Sequence, residues 1–208
     1  METPICDFVE AYAARDPVRM HMPGHKGAIF TGPEKFDITE ITGADELYAA
    51  DGIIRRSEQN ASALFGSADT FYSTEGSSQC ICAMLFLALL EWRRTHRTAS
   101  VRPAVIAARN VHKAFVRAAA LLDFDPIWLS PEDEVYSLTR CRVGRGQLER
   151  VLCETGERAA AVFITSPDYL GTLADIRALS ESAHKYGVMF LVDDAHGFDK
   201  GLLENIVC

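Results

Sequence analysis

Val188-Met189-Phe190-Leu191-Val192-Asp193-Asp194-Ala195-His196-Gly197 is an unbroken apolar run that ends in a polar cluster. A short run that is apolar at every position is the pattern of a strand buried on both faces, as in a parallel sheet. In open sheets of that kind, ligands sit outside the carboxyl ends of the strands, where the βα loops converge. The polar cluster is therefore the place to look for chemistry.

The same pattern recurs upstream. Asp69–Ser73, Ala104–Ala107, Pro126–Leu129 and Ala160–Ile164 also read as strands. Helical stretches follow them at Ser77–Trp92, Val111–Leu122, Gln147–Thr155 and Ala174–Tyr186. Strands alternating with helices predict βαβ units, hence an α/β fold with a mostly parallel sheet and flanking helices. Before this rhythm begins, residues 3–15 read as a short helix with Ile5, Phe8, Val9 and Tyr12 on one face. His21-Met22-Pro23-Gly24-His25-Lys26-Gly27 reads as a loop on its proline and glycines. Residues 37–52 are acidic and irregular, and residues 54–65 form a helix expected to end at Gly66. Residues 1–36 are expected to form an amino-terminal arm and 37–208 a partial major domain, with its longest interruption at 131–146.

The 208 residues suit one domain with a short arm, and a hydrophobic content of 48% is ample for a core. A net charge of -8 argues against non-specific nucleic-acid binding, which needs basic surface against phosphates. It leaves room for a small anionic ligand at a helix N-terminus. Met1–Glu10 lacks the basic start of a signal peptide, and the longest apolar run, Ile81–Leu90, is too short to span a bilayer. A cytoplasmic protein is expected. The six cysteines (Cys6, Cys80, Cys82, Cys141, Cys153 and Cys208) form no Cys-x-x-Cys pair and read as free thiols.

Four clusters carry candidate chemistry. Thr74-Glu75-Gly76-Ser77-Ser78 precedes a long helix, where amides, hydroxyls and the helix dipole suit a phosphate. A plain serine cap fits the same residues. Arg109-Asn110-Val111-His112-Lys113 offers a histidine that would stack on a flat ligand or act as acid or base, or simply begin a helix. Thr165-Ser166-Pro167-Asp168-Tyr169-Leu170-Gly171 mixes hydroxyls with turn residues. Asp193-Asp194-Ala195-His196 sets a carboxylate at the end of a buried strand, which is costly without a cationic partner. A protonated pyridine nitrogen is one such partner and a divalent metal another. The metal reading, even with His21 and His25 added, matches no zinc spacing.

Taken in order, these residues resemble the Orn/Lys/Arg decarboxylases of the pyridoxal phosphate (PLP) fold-type-I superfamily. The resemblance runs from about residue 18 to 197. It begins with His21-Met22-Pro23-Gly24-His25-Lys26 and continues through Asp37-Ile38-Thr39-Glu40, Gly43, Asp45 and Leu47. Phe65-Gly66, Thr70-Phe71 and the four clusters then follow. It implies decarboxylation of lysine, arginine or ornithine to an amine, with PLP as cofactor and a homo-oligomer as the full-length form. Gly76, Ser77 and Ser78 would hold the cofactor phosphate, His112 would stack on its ring, and Asp193 would pair with the ring nitrogen. His196 would lie on the substrate side, and Ser166–Tyr169 would border the ring. His112, Asp193 and His196 are the candidate catalytic residues.

One feature departs from the family. The resemblance implies a Schiff-base lysine in a Ser-x-His-Lys stretch beyond the Asp-x-Ala-His motif, and no such stretch lies before Cys208. His184-Lys185 precedes the last strand, His25-Lys26 belongs to the amino-terminal loop, and Lys200 lacks the context. The expectation is a truncated or frame-shifted chain, inactive alone and prone to associate. Two alternatives remain open: another fold-type-I reaction such as transamination or aldol cleavage, and a non-catalytic remnant that binds PLP or a partner subunit.

Overall fold

The computed structural model describes residues 2–28, 30–96, 101–131 and 142–197. Lys200, Cys141, Cys208, the segment from Phe198 and most of the 131–146 interruption lie outside the described residues. The chain divides into two compact units, Met1–Tyr72 and Ser73–Cys208.

In the first unit, α1 (Pro4–Ala14) begins with proline, whose missing N–H costs nothing in a first helical turn. Thr3 ties that turn down by donating its hydroxyl to Asp7 at 2.8 Å. Helix α1 packs on α2 (Ile53–Phe65), which ends at Gly66 in the left-handed conformation expected of a C-cap. The loop between them is built on two charged side chains. Arg19 is buried and donates to the carbonyls of Lys35 (2.5 Å), Asp37 (3.3 Å) and Glu34 (3.4 Å). Asp45 accepts backbone N–H groups from Glu46, Asp51, Gly52 and Ile54. Partial burial pushes its carboxyl upward, but the four donors outweigh that and hold it below its ordinary value.

The strand expected at Asp69–Ser73 does not form. Its polar groups are taken up by α2 instead: the Tyr72 amide donates to Glu58 at 3.0 Å, and Asp69 pairs with Arg55 at 2.9 Å. Among the described residues no strand lies alongside to complete a ladder, so the β-forming side chains there do not decide the outcome.

The second unit holds a four-stranded sheet of β1 (Ala104–Ala108), β2 (Asp125–Leu129), β3 (Ala159–Thr165) and β4 (Met189–Asp193). The order is β2-β1-β3-β4 and every pairing is parallel. Helix α3 (Gly76–Thr95) precedes β1, and α4 (Lys113–Leu122), α5 (Arg145–Thr155) and α6 (Ile176–Lys185) run between successive strands. Alternate residues of β1 and β3 face opposite cores. Val105, Ala107 and Phe163 meet Leu85, Leu89 and Phe115 from α3 and α4. Ile106, Val162 and Ile164 meet Leu148, Leu152 and Leu179 from α5 and α6. Full burial of each large side chain contributes about 1.5–3 kcal/mol. Phe115 is the hub of the first core, with its ring 5.1 Å from Phe163, 5.5 Å from Phe124 and 5.7 Å from Trp128.

The expectation of uniformly buried strands holds for β1 and nearly so for β3. It fails for β2 and β4, where exposed and buried positions are mixed. These are the outer strands of the described sheet and are covered less completely than the inner pair.

Candidate active site

The carboxyl ends of β1, β3 and β4 open onto one cavity of about 470 Å³. It is lined by Ser77 from the start of α3, Asn110 and His112 after β1, Thr165 and Tyr169 at the end of β3, and Asp193 and His196 at the end of β4. All of these lie in the second unit. Parallel pairing brings the strand ends level, and Thr165 is the direct register partner of Asp193.

Asp193 closes its strand and is buried. Its Oδ1 accepts the Ala195 amide at 3.2 Å, which turns the chain after β4 and swings His196 to the cavity. Its carbonyl accepts the Ser166 amide at 3.1 Å, locking the β4 turn to the β3 turn. Gly197 fits because a Cβ there would lie 2.6 Å from Pro167 Cδ and would collide with Asp194 Oδ1. No basic side chain forms an ion pair with Asp193 among the described residues. A buried carboxylate in that condition costs free energy until a cation meets it.

His112 is the N-cap of α4, and its Nδ1 accepts the Ala114 amide at 3.2 Å. That contact fixes the ring and places the proton of the neutral form on Nε2. His112 is thus both the cap of α4 and part of the cavity wall. His196 stands edge-on to Tyr169, with ring centroids 6.1 Å apart at 87°.

The Ser166–Tyr169 turn divides its labour. Ser166 and Asp168 are buried and organise the loop: Ser166 Oγ accepts the Ala174 amide at 3.0 Å. Asp168 Oδ1 accepts the amides of Leu170 at 2.9 Å and Thr172 at 2.8 Å. Only Tyr169 of the four reaches the cavity. At the first cluster, Gly76 has a φ of +68°, open to glycine at no steric cost, and no side chain caps the first turn of α3. Ser77 lines the cavity, whereas Ser78 faces a neighbouring hollow with Glu75, Cys82 and Arg117.

Asn110 and Thr165 are among the lining residues to which the sequence assigns no role. Asn110 Oδ1 and Thr165 Oγ1 are buried and lack a hydrogen-bond partner among the described residues. Both stand inside quoted clusters. They line one cavity because β1 and β3 are neighbours in the sheet, which a sequence does not display.

The family model of the Orn/Lys/Arg decarboxylase major domain matches residues 3–204. The chain is 30% identical over 206 residues to an arginine decarboxylase of Bacillus subtilis, covering 94% of this chain and 40% of that protein. It is 27% identical over 209 residues to an arginine decarboxylase of Bacillus anthracis, covering 94% of this chain and 40% of that protein. The chain thus spans about two fifths of the length of these relatives. Among solved structures, the constitutive lysine decarboxylase of E. coli superposes with a TM-score of 0.70 at 18% identity, over 92% of this chain and 28% of that one. A glutamate decarboxylase of Lactobacillus brevis gives 0.56 at 17% identity, over 95% and 41%. These likenesses establish the fold as that of the PLP fold-type-I large domain, with its mostly parallel sheet and flanking helices. With the family model matching almost end to end, the chain belongs to the Orn/Lys/Arg decarboxylase family.

Proposed function

We propose that this chain carries the cofactor-binding part of a PLP-dependent decarboxylase that converts lysine, arginine or ornithine to its amine and carbon dioxide. The observation that carries the reading is buried Asp193, with no ion pair among the described residues, in the cavity that also gathers Ser77, His112, Tyr169 and His196. The arginine decarboxylases among the relatives support a basic amino acid as substrate. A cytoplasmic homo-oligomer is the setting we propose for the complete enzyme. No helix of the described residues is long and apolar enough to cross a membrane.

The residues present fit the cofactor. A cationic ring nitrogen would relieve the cost of burying Asp193. The uncapped first turn of α3 and the Ser77 hydroxyl suit its phosphate. The pinned imidazole of His112 offers a flat face to its ring. When bound, PLP supplies an electron sink for the pair left on Cα as carbon dioxide departs. Asp193 would hold the proton on the ring nitrogen, since an adjacent carboxylate favours the charged form. Ser77 would anchor the phosphate, and Gly76, preceding it, admits close backbone approach. Ser78, one residue on, would contribute through its backbone amide. Tyr169 and His196 would form the substrate-side wall and exclude water.

The test uses the complete polypeptide that contains this segment, loaded with PLP. Incubation with each of the three amino acids should release carbon dioxide and the matching amine from at least one. A loaded, soluble protein that releases none, or that transfers the amino group to a keto acid instead, would refute the proposal.

A further inference from the structure

Burying a polar atom without a partner costs free energy, and folded proteins rarely leave one so. This cavity contains two, Asn110 Oδ1 and Thr165 Oγ1, at the ends of the adjacent strands β1 and β3. They are not symmetric in chemistry. The Asn110 oxygen only accepts, and the Thr165 hydroxyl both donates and accepts. Thr165 is also the register partner of Asp193, so along the sheet edge the order is Asp193, Thr165, Asn110.

We propose that Asn110 and Thr165 together bind the ring hydroxyl of PLP. This rests on the functional reading above and extends it to two residues with no other assigned part. The pyridine ring edge of the cofactor carries two protons that an acceptor can take, one on nitrogen and one on the phenolic oxygen. Asp193 accounts for the first. The second is the donor that Asn110 Oδ1 lacks, and the same oxygen is the acceptor that the Thr165 hydroxyl lacks. One group on the ligand thus satisfies both orphaned atoms.

The ligand-free protein bears the cost of the two unmet groups, and bound cofactor relieves it. Function and stability should therefore move in opposite directions, which a merely structural role would not produce. The experiment compares Thr165→Val, Thr165→Ser and Asn110→Leu with the parent in the complete polypeptide, stripped of cofactor. PLP affinity is read by absorbance titration, and the ligand-free melting temperature by calorimetry. Thr165→Val and Asn110→Leu should each weaken PLP binding about tenfold, with ligand-free melting temperatures no lower than the parent's. Thr165→Ser keeps the hydroxyl and should restore the affinity. If the parent binds PLP and both apolar variants bind it within twofold as tightly, the inference fails while the functional proposal stands. It also fails if the apolar variants melt well below the parent without cofactor, since the hydroxyl and amide would then be structural. A parent that binds no PLP would instead sink the functional proposal beneath it.

Discussion

Asp193 answers to two opposing demands. As the buried end of β4 it should be apolar, and as the proposed partner of a ring nitrogen it should be charged. Its burial with no ion pair among the described residues favours the second demand. Asp193→Asn separates the two. The amide keeps the oxygen that accepts from Ala195 and removes the charge. Turnover of the complete enzyme should fall on the order of 100-fold, the scale of one preorganised electrostatic contact. The ligand-free melting temperature should hold or rise, because a lone buried charge is gone. Steady-state rates and calorimetry on the same variant check both, and a large loss of ligand-free stability would contradict the argument. Asp193, His112 and His196 were legible in sequence because each sits where an apolar run stops. Asn110 and Thr165 were visible as letters in the same clusters, but their place in one cavity depends on the order β2-β1-β3-β4, which sets the ends of β1 and β3 side by side.

The elements divide by how local their causes are. The α1 start, the α2 stop at Gly66 and all four parallel strands follow from residues within a few positions, so the sequence reading located them. Asp69–Ser73 was misread because its fate depends on Glu58 and Arg55 of α2. The loop before Phe36 is also held by a side chain, and here the dependence is measurable. Hydrogen bonds from the Thr31 amide above all, then from the Glu34 amide, the Thr31 hydroxyl and the Gly32 amide, lower the Glu34 carboxyl from 4.5 to about 2. A carboxyl lowered on folding adds stability that is fully present above 4.5 and is lost as pH falls toward about 2. The parent should therefore out-protect Glu34→Gln at the Thr31 and Gly32 amides near neutrality. That advantage should vanish across this acid window. Hydrogen exchange at a series of pH values reads it, and an advantage that persists at the acid end would contradict the assignment.

At the scale of the whole molecule, the matched segment makes up 40% of relatives such as the Bacillus subtilis arginine decarboxylase. This bears on how the 208 residues behave when expressed alone. Strand β4 pairs with β3 on one side and has no neighbour on the other among the described strands, so its outer backbone groups are available to another chain. Helix α3 buries Leu85 and Leu89 against the sheet yet exposes Phe86, Leu87 and Leu90, at 48%, 58% and 52%. Residues 86, 87 and 90 share one helical face, and a helix apolar on its solvent side is unusual for an isolated soluble unit. Both features favour association over a dispersed monomer. Sedimentation velocity on the isolated chain should show species heavier than 22.9 kDa, increasing with concentration. Leu87→Lys with Leu90→Glu should reduce them, because charge on that face opposes packing while leaving the buried side of α3 intact. A monodisperse monomer that unfolds in one cooperative step would mean that these surfaces tolerate water, and that neither the β4 edge nor the outer face of α3 needs a cover.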